Sequence, residues 1–159
     1  MKYKLNSEYM RLAIEEARKN IQTLDGGPFG ACIVKSGKVL AVARNTVLKK
    51  DATCHAEVNA IRRVSKKLKT YDLSGCIIYS TTEPCPMCFS AIHWARIDSV
   101  IFGTHITDAK KIGFNELSIS AKKMKSLGKS RVKIFSKFLI KECRELFKDW
   151  SALKNKKLY

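Results

Sequence analysis

The chain has no apolar run approaching the ~20 residues needed to cross a bilayer. Its first residues, Met1-Lys2-Tyr3-Lys4-Leu5-Asn6, lack an apolar stretch of the secretory kind, so a cytoplasmic, non-membrane protein is expected. There is no internal repeat and no low-complexity linker, and the length suits one domain over residues 1–159. Acidic residues are scarce: 14 Asp and Glu stand against 31 Lys and Arg, giving a net charge of +17. Thirteen of the basic residues fall in 120–159, against Glu142, Glu145 and Asp149. This excess fits either a nucleic-acid partner or a solvated lysine-rich surface. Arginine, the better bidentate phosphate ligand, is outnumbered 8 to 23 by lysine, and no aromatic-interleaved RNA motif is present. Hydrophobic residues make up 45% of the chain, which excludes general disorder and allows a core without disulfides.

Six cysteines with no secretory segment point to a reducing compartment. Cys32 and Cys76 sit in β-branched apolar runs and Cys143 on an apolar helical stripe, so all three read as buried small hydrophobes. Cys85 and Cys88 form Pro84-Cys85-Pro86-Met87-Cys88. Alone, that spacing is a redox pair or half a zinc ribbon. No second C-x-x-C completes a ribbon, and His55-Ala56-Glu57 precedes it by about thirty residues. H-x-E followed by P-C-x-x-C is the signature of zinc-dependent base deaminases.

The chemistry explains the pattern. His55, Cys85 and Cys88 supply three ligands for one Zn²⁺ and leave a fourth position for water. Zinc lowers the pKa of bound water from 15.7 toward roughly 7. Glu57 is then the carboxylate that carries protons to a ring nitrogen and to departing ammonia. Its bland alternative is a capping-box residue. Pro84 and Pro86 suit the start of a helix, whose free N–H groups help stabilise thiolates. Cys54, directly before His55, is the alternative fourth ligand. It would close the site and leave a basic RNA-binding protein with structural zinc.

Period and punctuation give the elements. Ser7 reads as the cap of a helix reaching about Asn20. Ala31–Val34 and Val39–Ala43 read as a hairpin, after the turn cluster Asp25-Gly26-Gly27-Pro28. Helices are expected over 55–68, 87–96 and 138–156, and strands over 76–80, 99–103 and 132–135. Residues 104–130 read as irregular apart from a small basic helix near 119–126. The alternation predicts a three-layer α/β/α domain on a mixed sheet of about five strands, parallel at 76–80 and 99–103.

These segments resemble the cytidine-deaminase-like superfamily along most of the chain. Within it the sequence looks most like bacterial guanine deaminases. The resemblance is carried by Gly27-Pro28-Phe29-Gly30-Ala31, Cys54-His55-Ala56-Glu57-Val58-Asn59-Ala60, Ala91-Ile92-His93-Trp94-Ala95-Arg96, Thr107–Phe114 and the ending Trp150 … Leu158-Tyr159. Ala95-Arg96-Ile97 … Gly103 is also close to the tRNA adenosine deaminases, but the turn that group carries after Gly103 is missing. Two positions depart from the guanine deaminase pattern: Cys54 replaces a small apolar residue, and Glu116 stands where aspartate is expected.

The resemblance implies a homodimer that converts guanine and water to xanthine and ammonia in purine catabolism. The alternatives are tRNA adenosine editing, or a cytosine or nucleoside substrate. It also implies that Phe29, Asn45, Ala56, Trp94, Glu116 and Tyr159 contact the base, and that residues 138–159 cover the site. His93 and His105 read as surface or loop histidines.

Overall fold

Neighbouring residues on a strand face opposite ways, and here each face of the sheet has its own core. The computed structural model describes residues 5–159. The reading of Met1–Lys4 as free of a secretory segment lies outside them. The elements are α1 (Ser7–Arg18), α2 (Asn20–Thr23), β1 (Gly30–Lys35), β2 (Lys38–Arg44), α3 (Ala56–Leu68), β3 (Cys76–Thr82), α4 (Pro86–Trp94), β4 (Ser99–Thr104), α5 (Ile106–Lys111), α6 (Ala121–Leu127), β5 (Lys133–Phe135) and α7 (Ile140–Ser151). The sheet order is β2-β1-β3-β4-β5. The β1–β2 hairpin and the β1–β3 pair are antiparallel, while β3–β4 and β4–β5 are parallel. This is the expected mixed five-stranded α/β domain.

Ile33, Ile78, Val100 and Phe102 point to one face and pack with Ala60 and Val64 of α3 and Phe89 and Ile92 of α4. Cys32, Val34, Tyr79 and Ile101 point to the other, against Met10, Ala13 and Ala17 of α1 and Cys143 and Leu146 of α7. α7 can lie this close only because residue 103 has no side chain: a Cβ there would stand 2.3 Å from the Cys143 sulfur. A third cluster joins Phe114, Phe147 and Trp150 to Phe29 and Tyr159, which brings the C-terminal tail beside the loop before β1.

Several local expectations are corrected. Asn6, not Ser7, caps α1, its side-chain oxygen accepting the Glu8 N–H at 2.9 Å. The stretch after β4 is not irregular but opens with α5, whose start is closed by Asp108 accepting the His105 N–H at 2.9 Å. The last helix is shorter than 138–156, because Leu139 adopts a left-handed φ of 49° before it and Lys156 ties back to the carbonyls of Ser151 and Leu153 after it. No helix among the described residues is long and apolar enough to cross a membrane.

Candidate active site

Two helix starts meet at the C-terminal end of β3. His55 is the N-cap of α3 and Cys85 the N-cap of α4, with Pro86 in the first turn, where no N–H bond is lost. Neither cap side chain is spent on its own helix. His55 Nδ1 lies 3.6 Å from Cys85 Sγ. One ligand atom each from His55, Cys85 and Cys88 falls within 4.8 Å of the others, a grouping found nowhere else among the described residues. Zinc–nitrogen and zinc–sulfur arms of about 2.05 and 2.3 Å, set at a tetrahedral angle, span about 3.6 Å. The donor set therefore fits zinc.

The electrostatics agree. The Cys85 thiol is pulled down to about 4, first by the hydrogen bond from Cys88 and then by His55. Burial and the neighbouring Cys85 push the Cys88 thiol well up. Burial opposes protonation of His55, but the Cys85 bond and charge outweigh it and raise its pKa. Two sulfurs and a carboxyl group crowded in a buried space need a cation, and a divalent ion among them would deprotonate both thiols.

The thiol of Cys54 points elsewhere. It contacts Asp51 Oδ2 and the Arg62 guanidinium, each at 3.4 Å. The fourth-ligand alternative thus loses its residue.

Glu57 lies on the first turn of α3 and is 6% exposed. Ser80 Oγ donates to its Oε1 at 3.0 Å, and Cys88 Sγ lies 3.5 Å from its Oε2. Burial raises its pKa above the usual carboxylate range, which favours holding a proton that it can then pass on. It occupies the second helical position, not the third, so a capping box does not explain it.

Around this centre is a small chamber of about 20 Å³ lined by Phe29, His55, Glu57, Ser80, Glu83 and Glu116. A wider cavity of about 240 Å³, lined by Val47, Ala52, His55, Phe114, Glu116 and Tyr159, shares His55 and Glu116 with it. Burial, with the charge of Cys85, raises Glu116 to about 7. Asn45 is buried; its Oδ1 accepts the Val47 N–H at 3.0 Å, which leaves Nδ2 without a bonded partner. An orphaned buried donor is costly unless something fills it. Ala56 is fully buried between His55 and Glu57. The Tyr159 hydroxyl accepts the Gly27 N–H at 2.9 Å, and its ring meets Phe114 edge-on with centroids 5.4 Å apart.

Phe29 and Glu116 therefore line the chamber beside His55 and Cys85, Tyr159 lines the adjoining cavity, and Ala56 follows His55, while Asn45 is buried outside the lining of either. Trp94 lines neither. It ends α4, is 77% exposed, and lines a different pocket with Phe89, His93 and Met124. The expectation that it packs near the base is not met within one chain.

Sequence reading missed the residues that hold this arrangement. Glu83 accepts from the N–H groups of Ile106 and Ala121 and lies 3.2 Å from His105 Nδ1, so one carboxylate serves the starts of both α5 and α6. Asn20 donates to the carbonyls of Gly27 and Asn45, both at 2.8 Å. Asn59 ties Arg44, Thr46 and Cys54 together. A signal existed: Ser80-Thr81-Thr82-Glu83 is a polar run where the strand pattern is apolar, and all four are buried.

The family model of the cytidine and deoxycytidylate deaminase zinc-binding region matches residues 3–104. The chain belongs to this zinc-binding deaminase family. It is a hydrolase of carbon–nitrogen bonds with a zinc cofactor, and His55, Cys85 and Cys88 are the group that could hold the ion. It is 39% identical to the guanine deaminase of Bacillus subtilis over 95% of this chain and 97% of that one. It is 31% identical to the tRNA-specific adenosine deaminase of Buchnera aphidicola, over 99% of both chains. The solved guanine deaminase of Nitrosomonas europaea superposes with a TM-score of 0.85 at 29% identity, covering 94% of this chain and 86% of that one.

Proposed function

We propose that this deaminase converts guanine and water to xanthine and ammonia. The observation that carries the reading is the tail: Tyr159 bonds Gly27 and packs on Phe114 at the mouth of the pocket. A site that edits tRNA needs an open groove for an extruded nucleotide, whereas a free base fits under a cover. Residues 1–159 act as one deaminase domain, with 138–159 forming that cover.

Zinc, when bound, supplies a water acidic enough to attack at neutral pH. Glu57 would take a proton from the attacking water and deliver it to the ring nitrogen beside C2. It would then relay the proton of the hydroxyl left on C2 to the 2-amino group, which leaves as ammonia while the C2 oxygen becomes the carbonyl of xanthine. Ser80 holds the Glu57 carboxyl in one orientation. Asn45 Nδ2 donates to an acceptor on the purine edge and so finds its missing partner. Glu116 accepts the guanine N1–H, and Phe29 stacks on or edges the ring.

The enzyme works in the cytoplasm, a location supported by six unpaired cysteines. It serves purine catabolism as a homodimer; the exposed Leu117 and Leu127, 63% and 74% accessible, are consistent with a further contact.

The test is ammonia release by zinc-loaded protein from guanine, guanosine, cytosine, adenine and a tRNA anticodon stem-loop. Turnover of guanine above the rest is expected. Turnover of the stem-loop alone overturns the substrate assignment.

A further inference from the structure

The parallel strands have two ends, and the catalytic pocket uses only one. At the other end, where β3, β4 and β5 begin, lies a cleft of about 560 Å³ lined by Ser74, His93, Arg96, Asp98, Lys129, Arg131 and Lys133. Strand rise puts it roughly 15–20 Å from the metal ligands.

The segment leading into β5 alternates. Lys129, Arg131 and Lys133 are exposed, while Ser130 and Val132 between them are buried. Arg131 and Lys133, two residues apart where the chain enters β5, face the same way roughly 6.6 Å apart, close to the phosphate spacing of an extended nucleic-acid strand, and Lys129, left-handed at φ 49°, stands at the turn before them. His93 Nδ1 and Ser130 Oγ, 3.0 Å apart, fasten this segment to α4. Arg96 stands at the cleft in a left-handed conformation (φ 57°), paired with Asp72 and lying over the Tyr71 ring at 5.4 Å. Asp98 also lines the cleft, and its carboxylate accepts the Gly75 N–H at 3.0 Å.

Two aromatic rings flank these charges. Tyr71 is 67% exposed beside Arg96, and Trp94 is 77% exposed beside His93, their ring centroids 6.1 Å apart. A cationic track with aromatic platforms is how single strands are held without sequence preference: phosphates on the cations, bases on the rings.

We infer that this cleft is a second site, binding a single-stranded phosphodiester chain at the sheet end opposite the catalytic pocket. It stands independently of which base the pocket takes. The +17 charge makes a polyanion the fitting occupant.

The test uses the zinc-loaded full chain and fluorescein-labelled 12-mers of uridine and of deoxythymidine, titrated by anisotropy across a salt series. The two 12-mers separate RNA from DNA as the source of the chain, and binding of either supports the site. The double variant Lys129→Ala, Arg131→Ala should bind about 25-fold more weakly at 0.1 M salt, because each lost contact removes about 0.7 of a log unit per decade of salt below 1 M. Its log–log salt slope should be shallower by about 1.4. Its base turnover and melting should not change. Trp94→Ala should weaken binding roughly five- to a hundredfold with the slope intact.

The control, Lys141→Ala with Lys148→Ala, removes the same charge from α7 on the other sheet face and should bind like the parent. Protection of Lys129 from acetylation by whichever 12-mer binds, in the unmutated protein, checks the site without any substitution. Equal weakening in the α7 control, absence of that protection, or competition by uridine monophosphate as strong as by the 12-mer overturns the inference. A second copy of the chain found covering the cleft in solution does so as well.

Discussion

Removing Tyr159 should loosen the cover and leave the metal centre alone. In the structure its side chain makes two separable contacts: the hydroxyl accepts the Gly27 N–H at 2.9 Å, and the ring meets Phe114 edge-on. A hydrogen bond of this kind contributes about 1 kcal/mol net, and an edge-on aromatic pair contributes about 0.5–1.5 kcal/mol beyond its buried area. Tyr159→Phe keeps the ring and should cost about 1 kcal/mol, or roughly fivefold in kcat/KM for guanine. Deleting Tyr159 removes both contacts and also the Asn115 N–H bond to its main-chain oxygen at 3.2 Å, so the expected loss is about 3 kcal/mol, roughly 150-fold. Steady-state ammonia release, with zinc content measured on the same samples, reads both. Zinc should stay at one per chain in each. Guanosine, which brings a ribose to the covered mouth, should lose less than guanine or even gain. Kinetics unchanged by the deletion, or a loss of zinc that tracks the loss of rate, would refute the idea that the tail acts by closing the pocket.

Other outcomes follow from the same geometry. Glu57→Gln should retain zinc while kcat falls by about 10²–10⁴, the usual worth of a positioned acid–base group; a zinc-replete variant within tenfold of the parent removes the proton-carrying role. Glu83→Ala strands two helix-start N–H groups and should cost about 3 kcal/mol, seen as a drop of roughly 6–12 °C in the melting midpoint. Glu116 rises to about 7 in the fold against 4.5 when exposed, so between those values the folded state binds more protons than the unfolded one. Stability of the zinc-stripped protein should therefore be full below about pH 4.5 and decline as pH climbs through about 7. Glu116→Gln should flatten that slope in denaturant titrations, and a slope of the opposite sign contradicts the burial argument.

The metal trio and its carboxylate were legible because zinc chemistry fixes residue types and spacings that few other demands reproduce. The sheet was legible because its apolar runs alternate or fill with β-branched residues bounded by turn signals. α5 was not: six residues are too short for a stripe, and its cap is a histidine backbone met by Asp108. The tethers Asn20, Asn59 and Glu83 were invisible because each acts across a long stretch of sequence, where no local period records it. Trp94 lies away from His55 within one chain. Its expected place rested on resemblance alone, and nothing in the α4 stripe turns that side chain toward His55.

Glu83 sits one residue before the Pro84-Cys85 start of the metal loop, yet its oxygens hold the two ends of the segment that carries Glu116. The segment proposed to tell one base from another is thus geared mechanically to the loop proposed to grip the ion. Insertions or deletions between 106 and 121 would pull on that gear, so retuning selectivity by redesigning this span would disturb metal affinity first. Substitutions within it that keep both helix starts in place are the safer route to a changed preference.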